Sequence, residues 1–580
     1  MAFEFPKKVA EELKMRVIRP AYKTSTVANQ MTQFWKWCFV LLVMTLTACG
    51  SDGGDKRDGD TDSNTDSDSG SGTTSNGDTA SNSDTDSNSD SEIVAPPGGE
   101  LPAGIPTPEF GYRYDTSLDA TLYVDNTNPG CDNDGPGSAQ TPYCDLFRGH
   151  NNVTYEAGDV VHILGGPYDY PVDQRLVMNG TLENPVIILG VDTPLFRGPG
   201  SRINFEYDGS YGILENIEFF NHTRHRVLDT GHHLVFHRLE VHNPTDAIID
   251  FNPVFNVSGT HVLIYESHIH HNWRDGDNDA HGIQAGEGSS YVFILFNELH
   301  HNSGDSIQGC HHCFDAPPHH VFIGGNVMHD DRENAVDLKT IHDVVVSQNR
   351  MYGYMDSATS GGDAMVVGSN GYDEATNMGP RNVWVIHNEF SSAARGVRIE
   401  GVEDVWLIGN LFHTLDRAIQ IDNKVYRDIT IASSTIWNTG DGIINSNDSC
   451  TARSVTLTNN LLGTMSDGRH LDLPPCGNHT LQNNLLWQEG GTFTADVEGG
   501  NYTTAAALNG AAEASGTLDG DPQLDEAGLP AAGAIPIDAG VSLEPLYALF
   551  ESTFNASIRT DFNGTTRPIG NVEDVGALEQ

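Results

Sequence analysis

One line of sequence recurs through the middle of this chain: a short apolar strand with period-two alternation that ends on asparagine. Six copies align on that residue, at Asn297, Asn326, Asn349, Asn388, Asn410 and Asn460. The spacings are 29, 23, 39, 22 and 50 residues, and a degenerate copy that ends on Ser434 divides the last one. Repetition every 20–50 residues or so indicates a solenoid. Because the repeating unit is a strand, we expect an all-β solenoid of about a dozen coils.

A second strand follows each asparagine about twelve residues later. Side chains alternate across a strand, so its apolar members should enter the core and its polar members should form one exterior column. The predicted outward residues are Gln284, Gln308, Asp337, Lys339, Arg398, Glu400, Gln420 and Asp422. Successive coils should therefore place residues that are distant in sequence in one exterior groove, which we expect to include Asp305.

The charge of the chain limits its partners. Its 580 residues have a formal net charge of −49. Phosphate binding needs clustered Lys and Arg, so a nucleic-acid partner is not expected. An acidic surface also repels anionic polymers unless cations intervene, which favours a bound divalent metal if the substrate is acidic. Adaptation of an exported protein to salty water explains the same charge.

The first hundred residues have the pattern of an export signal followed by a linker. Residues 1–30 precede a complete secretory signal at residues 31–49 and are interpreted as an upstream mis-start. The signal ends in Leu-Thr-Ala-Cys49, which resembles the bacterial lipobox and implies lipidation of Cys49. Residues 50–105 are rich in Ser and Asp and predict a disordered linker, although runs of Asp also resemble calcium sites. We expect an exported monomeric lipoprotein in the periplasm, outer membrane or cell surface, anchored to the membrane only through that lipid.

Six cysteines remain beyond the signal, and export favours disulfides. Two pairs are predicted from their positions, namely Cys131 with Cys144 and Cys450 with Cys476. The sequence Cys310-His-His-Cys313 has the spacing of a zinc site, with His319 and His320 nearby, but a local disulfide is the preferred interpretation because exported CxxC pairs oxidise readily.

The strand–Asn-turn repeat, the short strands and the coil length resemble the right-handed parallel β-helix of pectate-lyase-like proteins. The resemblance implies that residues 106–495 form such a β-helix. Residues 496–580 resemble the closing segment of secreted bacterial β-helix proteins and are predicted to be a C-terminal cap, because an end coil needs a cover for its core and edge.

Within the repeat, Glu333-Asn334-Ala-Val-Asp337 resembles the paired-acid motif of polysaccharide lyase family nine. The resemblance implies a calcium site, for which oxygen ligands are suited. Its implied ligands are Asp305, Glu333, Asn334 and Asp337. The sequence departs from the family at two positions: Asn334 replaces an acid, and Val366 stands where the family has its base lysine.

The chemistry implied is β-elimination on a uronic-acid polymer, in which a cation stabilises the charge that develops beside the C5 carbon. Lys339 is the predicted base, and Arg398 is predicted to hold a carboxylate in a bidentate fork. The predicted substrate-binding residues are Gln284, Gln308, Glu400, His300 and His329. The alternative is that Asp337–Lys339 and Arg398–Glu400 are surface ion pairs.

Histidines form a second pattern. His242, His270, His300 and His329 occupy one position in successive coils, and Tyr352, His413 and Trp437 continue that column. The column either contacts sugar rings or is a stacking ladder on the surface. His281 leads into the strand of Gln284 and is a further catalytic candidate. Asp275, Asp277 and Asp279 suggest either a second calcium site or an Asx-rich turn.

The sequence therefore predicts a calcium-assisted lyase for an acidic polysaccharide. Two enzyme alternatives use the same scaffold: a uronan epimerase, and a glycoside hydrolase in which Asp337 works with Asp305 or Glu400. A non-catalytic glycan-binding β-helix is the alternative from another class, since the fold alone does not decide function.

Overall fold

The computed structural model describes residues 100–580 except 246, 312, 356–359, 369–378, 423–425, 446–451 and 476–477. The predicted signal with Cys49, nearly all of the predicted linker, and the predicted Cys450–Cys476 pair lie outside the described residues. The described chain is a parallel β-solenoid of about 12 coils with almost no helix, which confirms the predicted fold class.

Each coil contributes strands to three parallel sheets. The ladder sheet holds the strands before the asparagines: Leu122–Asp125, Val160–Leu164, Val186–Gly190, the end of Ile203–Glu215, His232–His237, Thr260–Tyr265, Ser290–Leu295, His319–Gly324, His342–Ser347, Arg381–Ile386, Glu403–Ile408, Tyr426–Ala432, Ala452–Thr458, Thr480–Gln482 and Ala514–Ser515. The histidine sheet holds the strands just after them: Tyr168–Asp169, Leu195–Arg197, Glu218–Phe220, Glu240–His242, His268–His270, Glu298–His300, Val327–His329, Arg350–Tyr352, the starts of Glu389–Glu400 and Leu411–Ile421, Thr435–Trp437, Leu461–Leu462, Leu485–Leu486 and Leu518–Asp519.

The third sheet, called the groove sheet, holds the second strand of each repeat. Its strands are Asn152–Glu156, Gln174–Asn179, the start of Ile203–Glu215, Thr223–Val227, Phe255–Val257, Ile283–Ala285, Ile307–Gly309, Val336–Leu338, Asp363–Gly368, the ends of Glu389–Glu400 and Leu411–Ile421, Asp441–Asn445, Arg469–Leu473 and Thr494–Val497, with Gly500–Tyr502 added antiparallel. Apolar side chains from all three sheets form one continuous core inside the coils.

The repeated asparagines form a buried ladder, as predicted. Asn349 donates from Nδ2 to Asn388 Oδ1 at 2.9 Å, and its own Oδ1 accepts from the Nδ2 of Asn326 at 2.9 Å. The backbone N–H groups of Asn326 and Asn349 also donate to the amide oxygen of the next coil. Ser434 continues the ladder, since its Oγ accepts from the backbone N–H of Asn410 at 3.3 Å. The ladder satisfies polar groups that would otherwise be unpaired in the core.

The outer face of the ladder sheet is apolar and covered. Ile105 and Phe110 from the segment before the first strand pack on it, and so does helix α2, Glu544–Phe554. Phe550 of this helix meets the Trp384 ring edge-on at a centroid distance of 4.9 Å. The C-terminal segment therefore returns along the side of the solenoid, which leaves the histidine sheet and the groove sheet as the places for an exterior site.

Residues in the segment predicted as a cap pack against the last coils of the solenoid. Helix α1, Ala505–Leu508, contributes Leu508 to the main core. Two further short strands, Ala514–Ser515 and Leu518–Asp519, still pair with the last full coil. Neither described helix has the length and apolar character that crossing a bilayer requires.

The predicted disulfide between Cys131 and Cys144 is present, and Cys310 is paired with Cys313. The first bridge closes a loop beside the first coil, where the core begins. The second lies directly after the groove-sheet strand Ile307–Gly309.

Replacing Asn349 by Ala should lower the free energy of unfolding by about 2–4 kcal/mol, because the Asn326 amide and backbone N–H lose their acceptor inside the core. Urea denaturation followed by far-UV circular dichroism measures this change. Asn349→Ser is the matched control and should cost less, because serine already occupies one rung. Equal losses for the two variants would contradict a role for the side-chain acceptor.

Candidate functional site

The exterior face of the groove sheet carries the predicted polar column. The strand register pairs Gln284 with Gln308 and Gln308 with Asp337. It continues through Val366 to Arg398. The predicted alignment of these positions is therefore confirmed, and residues 114 positions apart in sequence (284 to 398) occupy one column.

A groove of about 520 Å³ runs along this column. It is lined by Asn252, Asp279, His281, Gln284, Gln308, His311, Glu333, Asn334, Asp337, Lys339, Ser360, Gly361, Asp363 and Arg398. Eight of the twelve predicted site residues line this groove, including the predicted catalytic residues His281, Lys339 and Arg398, and Asp305 lies against it through hydrogen bonds from Gln308 and Asn334. Grooves with several converging polar groups are the usual form of a binding site.

Asp305 is the most enclosed acid of the site, with no exposed surface. Its Oδ1 accepts from Asn334 Nδ2 at 2.7 Å, and its Oδ2 accepts from Gln308 Nε2 at 3.1 Å. Burial raises the pKa of this carboxyl, but His281, Lys339 and the Asn334 bond outweigh burial and leave the pKa below its usual value. Asp305 is therefore a fixed negative charge beneath the groove.

His281 is held against that charge. The Asp305 backbone N–H donates to His281 Nδ1 at 2.9 Å, so the neutral ring carries its proton on Nε2. The same Nδ1 lies 3.1 Å from Asp305 Oδ2, which would bond a proton placed there. Burial lowers the pKa of His281, but the attraction of Asp305 more than offsets burial and raises that pKa.

Asp337 and Lys339 form an ion pair at the next coil. Lys339 Nζ contacts Asp337 Oδ2, whereas Asp337 Oδ1 is buried with no hydrogen-bond partner among the described residues. Burial, followed by repulsion from Asp305, raises the pKa of Asp337 to about 7. Burial lowers the pKa of Lys339, but Asp337 and Asp305 raise it above its usual value, so Lys339 is an ammonium at neutral pH.

Glu333 completes the acid cluster. Its carboxylate, that of Asp305 and a ring nitrogen of His281 lie within 4.8 Å of one another. Burial raises the pKa of Glu333 to about 8, and Asp305 and Asp279 add to the effect by repulsion. At neutral pH this carboxyl therefore holds a proton while Asp305 is ionised.

Arg398 lies at the far end of the groove and is already engaged. Its Nε donates to Asp363 Oδ2 at 2.8 Å, and its NH1 donates to Glu400 Oε2 at 2.7 Å. Asp363 is also contacted by Arg395. The guanidinium is thus divided between two acids of the protein on adjacent coils and does not form a bidentate fork with either, and the Arg398–Glu400 ion pair of the alternative interpretation is present.

The predicted calcium ligands lie together but do not form an oxygen cage. Both Asp305 oxygens accept protein hydrogen bonds, Asn334 presents its NH₂ group to Asp305, and the Lys339 ammonium takes one oxygen of Asp337. Of the four predicted ligands, this leaves at most four side-chain oxygens for a cation, namely Asp337 Oδ1, Asn334 Oδ1 and the two of Glu333. Calcium prefers six to eight oxygens or so. These side chains, as arranged, do not fit that ion, and Lys339 places a positive charge in the same region.

The two predicted substrate-binding histidines lie elsewhere. His300 and His329 belong to the histidine sheet and are not among the residues lining the groove. Their rings stack on each other at a centroid distance of 4.8 Å, and His329 stacks on Tyr352 at 4.9 Å. Because neighbouring rings cover their faces, they present edges rather than faces to any sugar. The stacking-ladder interpretation of this column describes the geometry.

Two features of the site were not predicted. The first is Asp363, which links Arg395 and Arg398 and stands two residues before Met365, as Asp305 stands two residues before Ile307 in the same register. The second is Asp331, which is two residues before the predicted ligand Glu333 in sequence but is buried and bonded to Asn302 and Tyr354. It belongs to a second buried ladder with Asn302 and Asn272. This ladder lies five residues after the first in each coil, so the spacing from Asn297 to Asn302 and from Asn326 to Asp331 could have indicated it in the sequence.

No protein-family model and no curated protein matches the sequence. Among solved structures, pectate lyase Pel9A is 13% identical and has a TM-score of 0.38, with 80% of this chain and 98% of that chain covered. The A-module of the Azotobacter vinelandii mannuronan C-5 epimerase AlgE6 is 13% identical, with a TM-score of 0.35 and coverages of 64% and 92%. The GH87 α-1,3-glucanase of Streptomyces thermodiastaticus is 15% identical, with a TM-score of 0.36 and coverages of 57% and 66%. Similarities of this size transfer no residue role to this chain.

Replacing Glu333 by Gln should stabilise the protein at high pH. The folded-state pKa of about 8 lies above the usual 4.5, so the folded protein binds more protons than the unfolded chain between these values, and wild-type stability falls as pH rises through that window. The variant should gain about 1–3 kcal/mol at about pH 9 and little at about pH 5, as measured by urea denaturation. Exposed Glu156 supplies the control substitution. The same gain at both pH values would contradict the raised pKa.

Proposed function

We propose that this chain is a polysaccharide lyase that cleaves a uronic-acid polymer by β-elimination in the groove. The observation that carries the proposal is the pairing of Asp337 and Lys339. A buried carboxyl with one unpartnered oxygen lies directly beside a cation, on the floor of an open groove. Abstraction of a weakly acidic C–H proton beside a carboxylate needs a base and a positive charge at this spacing.

Lys339 supports the proposal as the electrostatic group. Its raised pKa keeps it protonated at neutral pH, so it is suited to bind the uronate carboxylate rather than to take a proton. Drawing that carboxylate toward an ammonium stabilises the enolate-like charge that forms when C5 loses its proton. The groove then obtains from Lys339 the positive charge that a divalent metal would otherwise have to supply.

Asp337 is the proposed base. A pKa of about 7 matches the base strength of this carboxyl to neutral pH, and no described residue competes for its Oδ1 by a hydrogen bond. When substrate draws Lys339 away from Oδ2, the carboxylate loses its counter-ion and becomes a stronger base. Asp337 then takes the C5 proton, and the C–H electron pair forms the C4–C5 double bond.

Glu333 is the proposed acid. It remains protonated up to a pKa of about 8 and therefore can give its proton to the glycosidic oxygen as the C4–O bond breaks. The step balances, because one proton enters at Asp337 and one leaves from Glu333. The negative charge of Asp305 helps to keep Glu333 protonated, and Asp305 is itself held in place by His281 and by a hydrogen bond from Gln308.

Glycoside hydrolysis is the second candidate, and one observation favours it. The carboxyl groups of Asp305 and Glu333 have their pKa values displaced in opposite directions, which is the pattern of an acid paired with an ionised partner. Against this candidate, Asp305 is fully enclosed and both its oxygens accept hydrogen bonds.

Incubation with pectate, alginate and chondroitin tests the proposal. We expect ultraviolet absorbance from an unsaturated uronide with at least one of these polymers, and an Asp337→Asn variant should lose about 10²–10⁴-fold of that rate. A chelator should leave the rate unchanged if Lys339 supplies the positive charge. Loss of activity with the chelator and its recovery with calcium would instead establish the predicted calcium site.

Arg197→Ala is the control for this assay, because Arg197 pairs with Asp169 on an exposed part of the histidine sheet. New reducing ends without the absorbance would identify a hydrolase, and inverted uronates without chain cleavage would identify an epimerase. Retention of a polymer without any product would identify a binding protein. Each of these three results overturns the lyase assignment.

We also propose that the protein is exported as a monomeric lipoprotein whose only membrane contact is the lipid on Cys49. The signal pattern and the polar linker after it support this. Cells expressing the full chain should incorporate labelled palmitate, and Cys49→Ala should abolish the label. The substitution Cys38→Ala, within the predicted signal, is the matched control and should retain it. Labelling of the Cys49→Ala variant would refute the anchor.

A further inference from the structure

Three imidazoles from two adjacent coils meet on the exterior of the histidine sheet. His268 and His270 are two residues apart on one strand and therefore share a face. His300 is the register partner of His270 on the next coil. The ring nitrogens of the three residues lie within 4.8 Å of one another. This cluster is separate from the groove, since none of its members lines it.

The rings are oriented by their neighbours. His270 Nδ1 lies 2.7 Å from His271 Nδ1, and His300 Nδ1 lies 2.7 Å from His301 Nδ1. These contacts engage the outer nitrogen of each ring and leave its Nε2 for the cluster. A second group that holds the outer nitrogen of a histidine is the usual support of a metal ligand.

The inner nitrogens lack ordinary partners. His270 Nε2 is buried and makes no hydrogen bond within the described part of the chain, and its contact is the long ion pair with Glu240 Oε1 at 3.5 Å. His268 Nε2 and His300 Nε2 face each other at 2.7 Å, so each of these two ring nitrogens has the other as its partner. An unpartnered buried nitrogen costs free energy that a cation in the cluster would recover.

We propose that His268, His270 and His300 bind a divalent transition-metal ion, of which Zn²⁺ is the representative, and that Glu240 is the fourth ligand. Glu240 is the register partner of His268, and its Oε1 lies 3.5 Å from His270 Nε2. Three imidazoles and one carboxylate are ligands that zinc accepts in tetrahedral sites. Imidazole nitrogens exclude calcium and magnesium, which require oxygen.

The geometry needs a small adjustment. Zinc–nitrogen bonds of about 2.0–2.1 Å in a tetrahedron separate ligand nitrogens by about 3.3 Å. The His268 and His300 nitrogens must therefore move apart by about 0.6 Å, which rotation about their side-chain torsions provides. The bound ion would join three consecutive strands, Glu240–His242, His268–His270 and Glu298–His300. Because these strands are adjacent only in the folded protein, the ion would bind the folded state in preference to the unfolded chain and so stabilise the fold.

Calorimetric titration of the untagged, chelator-stripped full chain with zinc chloride tests the site. We expect saturable binding of one ion per chain and a rise in melting temperature. The double variant His268→Gln/His300→Gln should lower the zinc affinity at least about tenfold, while its melting temperature without metal stays near that of wild type. Co²⁺ in place of zinc should give the visible absorption of a tetrahedral site in wild type only.

His413→Gln is the matched control, because His413 occupies the same column but contacts the carboxylate of Glu389 and no second imidazole that the structure records. It should keep the wild-type affinity. A separate cluster of Glu109, His233 and His261 is another place on this chain where the measured zinc could bind. If His233→Gln removes zinc binding and the double variant does not, the assignment is wrong. Weak, unsaturable binding by wild type also overturns it. Should the double variant fail to fold, His270→Gln takes its place.

Discussion

The buried ladder of asparagine amides is the interaction on which the rest of the molecule depends. Each amide uses its NH₂ group and its oxygen on neighbouring coils, as Asn349 does between Asn326 and Asn388. A slip of one residue in any strand would leave these groups unpaired in the core and turn outward side chains inward. The ladder therefore fixes the register, and the register fixes which side chains face the groove.

The register tolerates large differences in coil length. The two coils that follow Asn349 and Asn388 differ in span by 17 residues, 39 against 22, yet the ladder strands on either side of the longer one still pair residue for residue. Extra length enters the connections, where loop closure is inexpensive. For this reason a polar column can persist across coils of unequal length, and Asp305 of one coil lies near enough to Lys339 of the next for their charges to interact.

The same regularity explains what could be predicted from sequence and what could not. The first ladder, the Gln284–Asp337–Arg398 column and the stacked histidines follow from counting, because each recurs at a constant offset. Asp331 shows the limit: a sequence of adjacent acids does not reveal which member turns inward. The charge state of Lys339 also needed coordinates, since it depends on the contact with Asp337 rather than on residue type.

The stability of the fold does not explain the acidic residues of the groove. Asp305, Glu333 and Asp337 are enclosed and repel one another, and the pKa values of the last two rise to about 8 and about 7. Groups whose pKa is raised in this way reduce the stability of the folded state at neutral pH. Apolar residues of similar size would not incur this cost. Three acids that repel one another beside one lysine in an open groove make the solenoid less stable. The same arrangement suits proton transfer to or from a ligand, which is the better explanation for these residues.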